Sequence, residues 1–126
     1  MARTTKSANK PTPATWETVR RLALELPEVE EGTSYGTPAF KVRKVLFVRQ
    51  HQDGESLVIK IDMDERAMRM KVDPETYYIT DHYLDHPYIL VRLATVDEED
   101  LRELLQESWR RSAPKKLLDA YDSSQG

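Results

Sequence analysis

The chain has 126 residues and a formal net charge of −3, with 39% hydrophobic and 33% charged residues. That length suits one domain with one core, and the balance of apolar and charged residues is that of a globular protein rather than a disordered one. Because cysteine is absent, a disulfide framework, a thiolate zinc site and a cysteine nucleophile are excluded.

The two ends of the chain are expected to lie outside the folded domain. Residues 1–14 are polar and contain proline, so they predict a flexible basic tail rather than an apolar signal segment. Its basic residues are Arg3, Lys6 and Lys10. The domain is predicted over residues 15–121, followed by a frayed end over 122–126. Since no apolar run is long enough to cross a bilayer, we expect a cytoplasmic protein.

The first predicted element is a helix that begins after Thr15, its expected N-cap, and ends at Pro27. Its apolar residues recur at the spacing of one helix face: Trp16, Val19, Leu22, Ala23 and Leu26. The acidic residues 28–31 that follow are expected to form an exposed turn before Gly32.

Short apolar segments separated by turn residues predict an antiparallel meander over residues 39–61. The expected extended segments are 33–37, 39–42, 45–49 and 57–61. Arg43-Lys44 fits a tight hairpin turn, and Asp53-Gly54 predicts another because both residues tolerate positive φ.

A short helix is expected over residues 63–71, with Asp62 as N-cap, Glu65 completing a capping box and Asp73-Pro74 ending it. Two more strands, 77–80 and 88–93, are then predicted on either side of the loop 81–87.

The last long helix has the strongest pattern in the chain. Thr95 and Glu98 predict its capping box. Its predicted buried face consists of Leu101, Leu104, Leu105, Ser108 and Trp109. Pro114 opens a final short helix. This order of elements predicts an α+β fold, in which an antiparallel sheet of five to six strands has N- and C-terminal helices packed on one face.

Six short stretches occur in a distinctive order along residues 15–121. They are LPEVEE (26–31), SYGTPAF (34–40), YITDHY (78–83), VRL (91–93), ESW (107–109) and APKK (113–116). In this order and spacing they resemble the MmcQ/YjbR-like proteins. The resemblance implies a fold like that of CyaY and frataxin, and DNA binding through a double-wing motif of hairpins. It implies no reaction, active-site residue or cofactor, and the fold alone does not imply iron binding.

Two clusters of basic residues are the candidates for contact with DNA. The hairpin cluster comprises Lys41, Arg43 and Lys44, with Arg49 nearby. The C-terminal cluster comprises Arg110, Arg111, Lys115 and Lys116. Such side chains would bind phosphates through counterion release, without reading sequence. The alternative is that they are solvated charges that protect a strand edge and complement a helix end, and the net charge of −3 gives DNA binding no support.

The candidates for a metal site are the side chains of Asp81, His82, Asp85 and His86, with His51 as a more distant ligand. Pro87 argues against a helix that would place both histidines of this loop on one face, and aspartates also act in turns. We therefore expect no metal and no other cofactor. No serine lies in a recognisable catalytic motif, so no catalytic residue is predicted and the protein is expected not to be an enzyme.

The aromatic residues allow two further functions. Those on or beside the strands are Tyr35, Phe40, Tyr77, Tyr78, Tyr83 and Tyr88. Most are expected in the core, but some could line a small-ligand pocket or stack on bases. The leading prediction is thus a non-enzymatic DNA-binding protein, monomeric or weakly self-associating. The alternatives are a protein-interaction module and a small-ligand protein or enzyme.

Overall fold

A six-stranded antiparallel sheet forms the centre of the fold, in a computed structural model that describes residues 13–125. The strands are β1 (Val29–Ser34), β2 (Thr37–Val42), β3 (Val45–Gln50), β4 (Ser56–Lys60), β5 (Tyr77–Tyr78) and β6 (Tyr88–Arg92). The helices are α1 (Trp16–Ala23), α2 (Met63–Val72), α3 (Glu98–Ser112) and α4 (Lys115–Gln125). The strand order is β1-β2-β3-β4-β6-β5, which confirms the predicted α+β class.

Described residues on both sides of the predicted domain, residues 15–121, contribute to the structure. Residues 1–12, which include all the basic residues of the predicted tail, lie outside the described residues. The backbone N–H of Ala14 donates to the carbonyl of Leu93 at 3.1 Å, and α4 continues to Gln125. None of the helices within residues 13–125 is both long and apolar enough to cross a membrane.

The two faces of the sheet carry different layers because successive side chains of a strand point to opposite sides. The first face packs against the helices and includes Val48 and Ile59, which are paired in register. The opposite side, called the open face here, carries the neighbouring pair Arg49 and Val58. Val58 in turn lies opposite Leu90 of β6. This alternation separates the helical core from a second, smaller apolar cluster on the open face.

The helical layer confirms the predicted buried face of α3. All five of its predicted residues are buried: Leu101, Leu104, Leu105, Ser108 and Trp109. The Ser108 hydroxyl donates to the carbonyl of Phe47 at 2.7 Å, and the Trp109 indole N–H donates to the carbonyl of Pro27 at 3.0 Å. Both bonds join α3 to the strand layer and its connections, so the helix is fixed in position as well as buried.

A β-bulge in β3 shapes the sheet beside the helices. Phe40 pairs with Val48, but the next residue, Lys41, pairs with Leu46. Phe47 is therefore the extra residue of the bulge, and its side chain is fully buried in the helical core.

Two hairpin turns contain residues other than glycine with positive φ. Arg43 and Lys44 have φ of 50° and 70° and form the turn that the sequence predicts. Tyr35 and Gly36 have φ of 53° and 79°, so the expected extended segment 33–37 is interrupted by a turn. Positive φ at both central residues matches the twist of the flanking strands.

Three local predictions were wrong. The acidic residues 28–31 do not form an exposed turn, because most of them lie in the edge strand β1, where Glu31 accepts from Arg20 at 2.6 and 2.9 Å. Asp97, not Thr95, caps α3; Thr95 instead exchanges a 2.8 Å hydrogen bond with Thr76. The predicted strand 77–80 is only two residues long.

Candidate functional site

The hairpin cluster of basic residues is partly neutralised. The Arg43 guanidinium donates two hydrogen bonds to the Glu28 carboxylate, and this pairing lowers the pKa of Glu28 and raises that of Arg43. Lys44 is exposed at the turn, and Lys41 is half-buried opposite Leu46. Neither lysine has a carboxylate partner within residues 13–125. Two of the three cations of the hairpin cluster are therefore able to bind another anion.

The C-terminal cluster shows the same division. Arg110 donates to both carboxylate oxygens of Asp122 at 2.9 and 3.1 Å, which lowers the pKa of Asp122. Lys115 pairs with Asp119 at 3.0 Å. Arg111 and Lys116 are exposed and have no carboxylate partner in the described part of the chain. Of the seven predicted phosphate contacts, those that remain unpaired among these residues are Lys41, Lys44, Arg111 and Lys116.

The predicted Asp and His metal ligands do not converge. Residues Asp81–Tyr83 form a 3-10 turn, and the rings of His82 and His86 are 6.2 Å apart between centroids. In the chain from residue 13 to 125, no group of three histidine, aspartate or glutamate side chains is placed to hold a metal ion. The geometry thus gives the metal hypothesis no support.

A pocket of about 620 Å³ opens on the open face of the sheet. Leu46, Arg49 and Val58 form its floor on β3 and β4. Its walls are the β1–β2 turn, the β3–β4 loop and the segment 80–88. All three histidines of the chain line it: His51, His82 and His86. Among residues 13–125, no acidic residue lines it, so the pocket lining has a positive character although the net charge of the chain is −3.

Arg49 is the charged residue of the pocket floor, and it is only 6% exposed. One of its terminal nitrogens, Nη2, donates to the Tyr83 hydroxyl at 2.8 Å. The other, Nη1, donates to the Gln50 carbonyl at 3.1 Å and, at 3.4 Å each, to the side chains of Thr37 and Gln52. All four acceptors are neutral, so no carboxylate within residues 13–125 balances this buried charge.

Three tyrosines surround the guanidinium of Arg49. The Tyr35 ring covers it, with 5.1 Å from Cζ to the ring centroid, although the Tyr35 side chain is 78% exposed at its turn. Tyr83 and Tyr88 belong to the wall segment 80–88, with 6.0 Å between their ring centroids. Burial raises the pKa of the Tyr88 phenol, and the Tyr35 and Tyr83 hydroxyls add to this shift. Tyr88 is therefore a neutral donor at physiological pH.

A second buried arginine holds the pocket wall in place. Arg66 of α2 donates four hydrogen bonds of 2.8 to 3.0 Å, all to backbone carbonyls of the segment 83–88. Their acceptors are the carbonyl oxygens of Tyr83, Leu84, His86 and Tyr88. Because this segment has little regular structure of its own, Arg66 supplies the donors that a strand partner would otherwise provide.

The β3–β4 loop forms the opposite wall and is held by Asp53. Partial burial opposes ionisation of this carboxyl, but the N–H groups of Glu55 and Ser56 and the His51 side chain keep its pKa below the ordinary value. Asp53 Oδ1 accepts from Glu55 at 2.8 Å and lies 3.3 Å from Nδ1 of His51. The loop thus places His51 at the pocket rim.

The six aromatic candidates separate by sheet face. Tyr35, Tyr83 and Tyr88 line the pocket, whereas Phe40 and Tyr77 belong to the helical core. Tyr78 packs in the smaller apolar cluster of the open face. Arg49 was assigned only to a basic patch by sequence reasoning. The sequence signal that could have singled it out is an arginine directly after the four apolar residues that begin β3, Val45 to Val48.

Comparison with known proteins identifies relatives over most of the chain. The family model YjbR matches residues 24–111. Uncharacterised proteins of Mycobacterium tuberculosis and Mycobacterium bovis are 27% identical over 131 aligned positions, covering 90% of this chain and 99% of theirs. A crystal structure of a Deinococcus radiodurans protein with a DUF419 domain aligns with a TM-score of 0.66 and 27% identity over 76% of each chain. The sequence motifs, the sheet with its helical layer and these matches agree, and the chain belongs to the YjbR family.

Proposed function

We propose that this protein binds a small organic molecule in the open-face pocket. The observation that carries the proposal is the pocket itself: about 620 Å³, within the range of roughly 300–1,000 Å³ typical of small-molecule sites. Its floor is apolar apart from Arg49, and its walls combine tyrosine rings with histidine, threonine and glutamine side chains. This mixture of apolar surface and a few convergent polar groups is typical of ligand sites.

The construction of the walls also supports the proposal. A pocket that binds selectively needs side chains whose positions are fixed before the ligand arrives. Arg66 fixes one wall through its four bonds to backbone carbonyls, and Asp53 fixes the loop of the other. Much of the pocket therefore rests on rigid elements or on segments tied to them.

A matched pair of tryptophan substitutions tests the proposal. Leu46 lies on the pocket floor, and its neighbour Val45 is 40% exposed outside the lining. In Leu46→Trp the indole should fill the pocket and weaken any bound fragment at least about 10-fold, which corresponds to about 1.4 kcal/mol. Val45→Trp adds the same group to the same strand and should leave affinity unchanged.

Amide NMR spectra recorded with a library of neutral and charged ring-containing fragments provide the measurement. Binding in the pocket should shift the amides of β3, β4 and residues 80–88 together. The proposal is wrong if no fragment produces this pattern, or if Leu46→Trp and Val45→Trp bind the same fragments equally well.

DNA binding is the second candidate, supported by the four of the seven predicted phosphate contacts that have no carboxylate partner among residues 13–125. Lys44 and Arg111 are exposed members of the two clusters. If all four neutralise phosphates, the logarithm of duplex affinity should fall against the logarithm of salt concentration with a slope of about −3.6.

Two lysines of the clusters allow a paired test of this candidate. Lys44→Ala should reduce the salt slope by about 0.9, because one phosphate contact is lost. Lys115→Ala should change it little, since Lys115 already pairs with Asp119. Fluorescence anisotropy on a labelled duplex between 20 and 200 mM salt measures both slopes. A salt-independent affinity, or no binding at the lowest salt, removes this candidate.

A further inference from the structure

We infer that the ligand of the open-face pocket is an organic oxyanion, a carboxylate or phosphate group carried on a planar ring, with Arg49 as its charge partner. This inference rests on the proposed function, since it names the chemical class that the pocket selects. Four observations carry it: the burial of Arg49, its neutral partners, its unused donor and the tyrosine rings around it.

Arg49 is one of two buried arginines that have no carboxylate partner within residues 13–125, and Arg66 is the other. Other arginines, such as Arg20, Arg43 and Arg110, each bind a carboxylate although they are far more exposed. Arg49 is 6% exposed, and within residues 13–125 it donates only to neutral oxygens. Because a buried charge is costly unless an opposite charge accompanies it, an anion in the pocket would relieve an unfavourable state of the empty protein.

Arg66, the other buried arginine, shows the difference between a structural and a binding guanidinium. Its bonds reach four backbone carbonyls of one wall segment, and it does not line the pocket. Arg49 borders the pocket, and two of its four bonds have the long distance of 3.4 Å. Arg49 is therefore placed to exchange its two long hydrogen bonds for shorter ones to a bound ligand.

The hydrogen bonds of Arg49 also leave a donor unused. All four start from Nη1 or Nη2, so within residues 13–125 the Nε–H has no acceptor. A guanidinium has five N–H donors in a planar fork, and the edge formed by Nε and Nη2 matches two oxygens of a carboxylate or phosphate. An oxyanion at this edge would give the Nε–H an acceptor and would leave the hydrogen bond from Nη1 to the Gln50 carbonyl in place.

The surroundings of Arg49 favour an anion attached to a ring. Besides Arg49, the polar lining that the described residues provide consists of neutral or basic groups, and the Asp53 carboxylate lies 3.3 Å from Nδ1 of His51. The Tyr35 ring covers the guanidinium at 5.1 Å, and Tyr88 also lines the pocket. A planar ring held by Arg49 would lie beside these aromatic side chains, where stacking adds to affinity.

Three probes of similar size test the inference on the full chain: benzoate, phenyl phosphate and the uncharged benzamide. In the unsubstituted protein, amide NMR titration should show at least one of the two oxyanions binding about 10-fold or more tightly than benzamide, because hydrogen bonds between a guanidinium and an oxyanion are roughly twice as strong as those between neutral groups. The tighter of the two identifies carboxylate or phosphate as the preferred group.

Substitution then assigns the preference to one residue. Arg49→Met should reduce oxyanion affinity to that of benzamide, whereas Arg49→Lys, which keeps the charge but loses the planar fork, should retain part of the preference. The matched control is Arg21→Met, which replaces an exposed arginine of α1 that pairs with Glu98. This variant should bind the three probes as tightly as the unsubstituted protein does.

The outcomes separate the two proposals. Benzamide binding in the pocket as tightly as both oxyanions would leave the proposed function standing and overturn the inference. An oxyanion preference that persists in a folded Arg49→Met protein would also overturn it. If Arg49→Met does not fold, the comparison of the three probes on the unsubstituted chain still decides. Failure of all three probes, together with failure of the fragment library, would reject the proposed function itself.

Discussion

Replacing Arg66 with methionine should lower the free energy of unfolding by about 3–5 kcal/mol, because four backbone carbonyls would lose their donor at once. These carbonyls belong to the segment 83–88, which has little regular structure. Methionine fills a similar volume but has neither a hydrogen-bond donor nor a charge, so the change removes the four hydrogen bonds together with the buried charge. Urea denaturation followed by circular dichroism measures the effect.

Two control variants separate the loss of a positive charge from the loss of the hydrogen bonds that Arg66 makes. Arg111→Met removes an exposed arginine without a carboxylate partner in the described chain and should change stability by less than about 0.5 kcal/mol. Arg66→Lys retains a charge but cannot reach four acceptors in fixed directions, so it should recover only part of the loss. Equal stability of Arg66→Met and Arg111→Met would show that the segment does not depend on Arg66.

Arg66→Met should also weaken ligand binding in the protein that remains folded. The segment it holds carries His82, Tyr83 and His86 into the pocket wall. Loss of fixed positions in a binding site reduces affinity because ordering must then accompany binding. Stability and affinity should therefore fall together in this variant.

Local patterns predicted the helical layer well. The face of α3 from Leu101 to Trp109 follows from helical periodicity alone, because the same side chains must meet one core whatever the topology. The turn at Arg43-Lys44 was found from its position between two apolar segments. Composition gave the wrong prediction for the acidic run 28–31, which has the polar character of a turn. Most of this run forms the edge strand β1, which tolerates polar residues because one of its sides faces solvent.

The pocket was less accessible to sequence reasoning because it depends on which residues the sheet brings together. Strand alternation separates Tyr77 from Tyr78, but only the register shows that Arg49 lies opposite Val58 and near Tyr83. In the basic clusters, contacts between residues distant in sequence neutralise charges that the sequence alone presents as free. Arg43 and Arg110 were chosen for their charge, and the acids that neutralise them, Glu28 and Asp122, are distant enough in sequence to escape a local reading.

Truncation of Trp109 to alanine should cost about 3–5 kcal/mol of unfolding free energy, the range for removing a large buried aromatic side chain. Trp109 is fully buried, contacts Tyr121 at 4.9 Å between ring centroids and donates to the Pro27 carbonyl. Trp109→Phe keeps most of the volume but loses that hydrogen bond, so about 1–2 kcal/mol is expected. Urea denaturation of both variants provides the measurement.

Trp109 belongs to the helical layer, and the pocket lies on the opposite face of the sheet. Trp109→Phe should therefore bind the pocket probes as tightly as the unsubstituted protein while it unfolds at lower urea, whereas Arg66→Met should lose both properties. This contrast holds if the sheet separates the core that stabilises the fold from the face that binds. A loss of probe affinity in folded Trp109→Phe equal to that in Arg66→Met would show instead that the two layers act as one unit.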